Sequence, residues 1–181
     1  MRWYGIALFI HMMGLIAMFA GFALQQRLGA KLRATFGRDE ARHWAWMLDA
    51  TRPMTPSGAV MMFVSGGYMA WGMRATLPPW VMVGIGSVAF IGMTTGLMVN
   101  PRFAAIHRAL ASDPAAAAAA IRDGATWAAF CAANGAGLGT IWIMSVKAGL
   151  LESLIAVLLP AAVGGVVGFQ LARRVAAPAT A

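Results

Sequence analysis

Between Trp3 and Leu24 the chain carries no Asp, Glu, Lys or Arg. About 20 apolar residues suffice to cross a bilayer, and inside it only a helix or a closed barrel satisfies its own backbone. The run therefore predicts a transmembrane helix. At heptad spacing one face reads Tyr4, Ala7, His11, Gly14, Met18, Gly21 and Gln25, almost all the small and polar residues of the segment. The remaining surface, with Trp3, Ile6, Phe9, Ile10, Met13, Ile16 and Phe19, is bulky and apolar. In lipid, small and polar residues turn toward neighbouring helices, where close approach and hydrogen bonds replace the missing hydrophobic drive. His11 is therefore expected to face inward, and an ionisable residue inside a membrane is a functional candidate by default.

The rest of the chain agrees with a membrane setting. Charged residues make up 11% of its 181 positions, against about 25% in soluble domains. One transmembrane domain over 1–181 is expected, with no separate soluble part. The net charge of +8 would suggest nucleic acid in a soluble protein. Here the basic residues are scattered over several loops, which fits topology and not nucleic-acid binding. A single cysteine, Cys131, excludes an internal disulfide and is expected to be a small core residue. The first run is too long for a signal-peptide core and lacks a small-residue cleavage pattern, so it is expected to stay in the protein.

Spans are expected at about 3–24, 57–74, 80–99, 125–146 and 153–172: four core helices and a peripheral fifth, an all-α polytopic bundle. Short interfacial helices join them on the cytoplasmic side. In the polar stretch 25–52, Leu32, Phe36, Trp44, Met47 and Leu48 form the apolar side of such a helix. Ser65 and Tyr68 fall on a small or polar stripe of the second span. Gly92 and Gly96 give the third span a small-residue contact face, as Gly135, Gly137 and Gly139 give the fourth, and Asn100-Pro101 ends the third. Phe103, Ile106 and Leu110 recur at helical spacing, and Asp113-Pro114 opens a surface helix over the alanine run. With the N-terminus outside, the non-cytoplasmic side keeps only Arg2, Arg74 and Lys147 of the basic residues. The expected topology places the N-terminus outside and the C-terminus in the cytoplasm.

His11 lies about 12 Å below the outer edge at 1.5 Å per residue. A neutral imidazole there can ligate haem iron or another metal, relay a proton, or hydrogen-bond to a neighbouring helix. His43 and His107 fall in cytoplasmic segments, so a site of several histidines is excluded. Met69 and, less well, Met144 stand at a depth where a second axial ligand could come from. Most of the 14 methionines are explained by adaptable packing. Tyr68 and Asn134 could hydrogen-bond within the core or glue helices together. Arg74 and Lys147 sit at the outer edge, where haem propionates would want cations and where topology residues also stand.

Three stretches carry a resemblance: Ile10-His11-Met12-Met13-Gly14 with Gly21; Arg52-Pro53-Met54 leading into Ser65-Gly66-Gly67-Tyr68; and Trp142-Ile143-Met144-Ser145-Val146-Lys147. Over residues 1 to about 148 the chain is similar to a bacterial membrane superfamily. It includes the CopD copper-resistance proteins, the HemJ-type protoporphyrinogen oxidases and a branch known only as predicted integral membrane proteins. In the HemJ-type enzymes a first-helix histidine is implicated in binding haem b, and the resemblance puts that role on His11. This chain has Phe22-Ala23-Leu24-Gln25-Gln26-Arg27 where those enzymes continue Tyr-Leu-Pro-Arg-Leu-Phe, and no lysine in the third span. It resembles the last branch most. The expected function is a haem-b-binding membrane protein of redox or tetrapyrrole metabolism, self-associating or part of a larger complex. The alternatives are a cofactor-free accessory subunit and a small metal-handling or transport protein.

Overall fold

The computed structural model describes residues 2–35, 37–72 and 77–173. Among them there is no strand. The fold is an all-α bundle, as the apolar runs imply. Its helices are α1 (Arg2–Ala34), α2 (Arg38–Thr51), α3 (Met54–Trp71), α4 (Pro79–Met93), α5 (Asn100–Ser112), α6 (Pro114–Ile121), α7 (Gly124–Val146) and α8 (Leu150–Arg173). Four stretches are long and apolar enough to cross a membrane: Arg2–Ala34, Pro79–Ser112, Ala115–Val146 and Leu150–Arg173. The shorter, less apolar α3 has 18 residues and packs against both α1 and α4.

α1 runs 33 residues, about 50 Å at 1.5 Å per residue, and so projects well beyond a hydrocarbon core of about 30 Å. Much of the stretch read as an interfacial segment is thus the end of α1, which carries Leu28 and Leu32 into the core. α2 supplies the amphipathic remainder, with Leu48 buried and Trp44 and Met47 packed against the core. Phe36 lies outside the described residues. Gln25, which would be an unsatisfied polar group in the interior, donates from Nε2 to the Thr51 carbonyl at 2.9 Å and ties α1 to the end of α2.

The third span does not stop at Asn100-Pro101. α4 passes through a π-helical segment, Thr94–Val99, straight into α5. A proline lacks the amide that an α-helix needs and its ring crowds the preceding turn. The wider i→i+5 turn, seen in the Asn100 amide donating to Thr95, accommodates both problems without a break. Phe103, Ile106 and Leu110 are buried as their spacing requires. Asp113 caps α6, accepting from the Ala115 and Ala116 amides at 3.0 Å.

Glycines set the two closest helix pairs. α1 and α3 run antiparallel and meet at Gly14 and Gly58: a Cβ on Gly58 would stand 2.6 Å from the Gly14 carbonyl oxygen. α7 and α8 meet at Gly139 on Ala156, Gly135 on Pro160, Cys131 on Gly164 and Trp127 on Gly168. The pairs advance by four residues along each helix in opposite directions, so one row of small residues faces another along the seam. Gly137, on the other side of α7, faces Phe19 and Phe22 of α1. Gly92 and Gly96 do face α3, yet a Cβ there would meet Ala59 and Pro56 at 3.4 and 3.8 Å, ordinary contact. The tight contacts lie elsewhere.

Candidate functional site

One face of α1 turns inward, with Ala7, Gly14, Met18, Gly21 and Gln25 buried. His11 lies on this face and is half-buried. Its Nδ1 is 3.2 Å from the Ser65 hydroxyl of α3. That hydroxyl donates its one proton to the Met61 carbonyl a turn earlier, so it is left to accept from His11. The proton then sits on Nδ1, and Nε2 keeps a lone pair. Gly66 makes the approach possible, since a Cβ there would stand 3.2 Å from His11 Cε1. Ser65 stands on the same stripe of the second span as Tyr68, and it is Ser65 that meets the imidazole.

His11 lines a cavity of about 570 Å³ among α1, α3, α4 and α7, at the end of the bundle where α1 begins and α7 stops. Its size falls within the roughly 300–1,000 Å³ typical of small-molecule sites. Met62, Val81, Gly84 and Val88 form buried parts of the wall. At its base, Thr140 of α7 donates to the Ala136 carbonyl and pairs at 2.6 Å with Ser87 of α4. Each of two helix pairs is therefore joined by one side-chain hydrogen bond with a member on the cavity wall: His11 to Ser65 and Thr140 to Ser87. The second pair escaped the sequence reading, because isolated Ser and Thr in apolar helices give no hint of partner or register.

Met69, Met144 and Lys147 line the same cavity as His11. Tyr68 does not: it is exposed on the other side of α3, in a shallow apolar groove with Trp3, Ile6, Ile10 and Val64. A helix advances 100° per residue, which separates Tyr68 from its neighbour Met69. Arg74 lies outside the described residues. His43 and His107 belong to α2 and α5, which are packed together away from the cavity. Among the described residues no group of three or more His, Cys, Asp or Glu could hold a metal ion. An ion ligated by His11 would draw its other donors from thioethers or from a ligand that brings its own.

Lys147 ends α7 with φ 56° and ψ 46°, in the left-handed region. Glycine or asparagine usually takes this position, because a Cβ there is strained. The bundle and cavity define a multi-pass helical membrane protein with an imidazole in a largely apolar chamber. Comparison with family models, curated proteins and solved structures finds no match.

Proposed function

We propose that the cavity binds haem b with His11 as an axial ligand. The reading rests chiefly on the Ser65 contact, which gives His11 a proton on Nδ1 and a lone pair on Nε2, the form a metal-ligating histidine takes. The other residues fit a macrocycle that supplies its own four nitrogens. The walls are mainly apolar, Met69 and Met144 offer thioethers as a second axial donor, and Lys147 offers a cation to propionates. Bound haem would supply one-electron or tetrapyrrole redox chemistry. The chain's own part is to fix the tautomer, hold the acidic edge and exclude water.

The setting in this reading is the bacterial inner membrane with the cavity end outward. Arg27, Lys31, Arg33, Arg38, Arg42 and Arg52 gather toward the end opposite the cavity, with Arg102, Arg108 and Arg122, which fits cytoplasmic loops. Membership of the CopD and HemJ-type superfamily, in its least described branch, belongs to the same proposal. The test is the visible spectrum of protein purified in mild detergent from haem-supplied cells. A Soret band that sharpens on dithionite and vanishes in an inserted His11→Ala variant is expected. A colourless wild type would overturn the reading and favour a cofactor-free accessory subunit.

A further inference from the structure

The chamber is open on its side as well as at its end. α4 forms a closed wall: Val81, Gly84 and Val88 are buried. Of the α1 lining residues, Tyr4, Leu8 and Met12 form an exposed stripe beside the half-buried His11 and Leu15, and Ile141 and Ser145 of α7 are exposed too. Leu8 is 42% and Met12 47% exposed. α1 and α7 touch further along, where Phe19 and Phe22 lie on Gly137. Met12 stands nine residues past Trp3, about 14 Å down the helix axis. At that depth in a bilayer the surroundings are lipid tails.

Lys147 marks the other end of the opening. It is the single non-glycine residue with positive φ among the described residues, and its side chain lines the chamber. No Asp or Glu is found among the described lining residues. A strained backbone position held by an unneutralised cation is the kind of outlier that accompanies a ligand clamp.

We propose that the chamber loads sideways from the bilayer, between α1 and α7, and takes an amphiphile with an apolar body and a carboxylate that Lys147 holds. This rests on the chamber being the ligand site, and it applies equally to haem, with its propionates, and to a fatty acid.

The test uses the full chain in phosphatidylcholine vesicles with four probes: haemin, its dimethyl ester, doxyl-labelled stearic acid and its methyl ester. Haemin is read by its Soret band and the nitroxides by quenching of Trp80, which lines the chamber, with Trp80→Phe as the blank. Lys147→Gly and Lys147→Gln should weaken both acids about tenfold, the loss of one charged contact, and leave both esters unchanged. Lys147→Gly should also melt higher than wild type, because the strain is gone. Met12→Trp and Ile141→Trp should slow uptake from vesicles several-fold. Equal losses for acids and esters, or a lower melting point for Lys147→Gly, would make Lys147 merely structural and overturn the clamp. Unchanged uptake in both tryptophan variants would overturn lateral entry. Labelled stearate binding without haemin would sink the haem reading and leave this one intact; failure of all four probes would sink both.

Discussion

His11 of α1 and Ser65 of α3 are joined across the helix interface, Nδ1 to hydroxyl oxygen at 3.2 Å, and the serine's own proton is committed to Met61. The contact fixes which imidazole nitrogen is free. Ser65→Ala should insert and fold, since it removes one exposed-to-nothing hydroxyl of small volume. It should nevertheless weaken haem retention 10- to 100-fold, the usual effect of losing a hydrogen bond behind a ligating histidine. Titration of the purified apoprotein with haemin checks this. Retention equal to wild type would detach Ser65 from the site.

The α7–α8 seam gives a stability prediction. Pro160 has no N–H to offer the Ala156 carbonyl, and this is the oxygen that a Cβ on Gly139 would run into. A methyl at Gly139 or Gly135 would overlap backbone that cannot swing aside. Gly139→Ala and Gly135→Ala should each cost about 1–3 kcal/mol, the range for overpacking. Gly165→Ala, whose Cβ would meet its nearest atom at 3.7 Å, should be close to neutral. Thermal melts in one detergent, compared across the three variants, decide the matter.

How far the sequence revealed this architecture depends on what each feature needs. The inward face of α1 was readable because it requires only spacing: Ala7, Gly14, Met18, Gly21 and Gln25 are buried together. The cap at Asp113 was readable for the same reason, its partners being two and three residues away. Pro101 misled, since a π turn cannot be inferred from the proline it accommodates. Gly92 and Gly96 look as tight in sequence as Gly135 and Gly139, yet the separation of two backbones is set by both helices at once. Ser65 stood on the right stripe, but its pairing with His11 depends on the antiparallel register of α1 and α3.

At the opposite end from His11, the Arg33 guanidinium lies 3.9 Å from the Trp127 ring centroid, and Trp127 is fully buried, donating to the Ile121 carbonyl at 2.7 Å. Gly29 leaves the room, since a Cβ there would run into the indole. Arg33→Ala should cost about 1–2 kcal/mol through lost cation–π attraction and stem packing. Arg33→Lys should recover only part, because an ammonium cannot stack flat. Melting temperatures of the two variants test it; equal values would show that charge alone matters.

Asp123 predicts how the fold responds to acid. It precedes α7 and accepts from the Thr126 hydroxyl, from the Thr126 amide at 3.3 Å and from the Ala125 amide at 3.2 Å. Arg102 lies 3.9 Å away. The Thr126 hydroxyl foremost, then the amides and Arg102, hold its carboxyl below the usual carboxylate range, against a smaller opposing effect of burial. A folded-state pKa depressed in this way stabilises the fold above the unfolded pKa, and the contribution disappears as pH falls through the folded value. The wild type should therefore lose melting temperature as pH drops from about 5 toward 3, where unperturbed aspartates titrate. Asp123→Asn keeps a side-chain oxygen for capping but cannot titrate, so its melting curve should fall less over that interval. At neutral pH Asp123→Ala should lose about 1 kcal/mol, the usual cost of removing an N-cap. A pH profile unchanged by Asp123→Asn would assign the acid sensitivity to other carboxylates and leave Asp123 a cap alone.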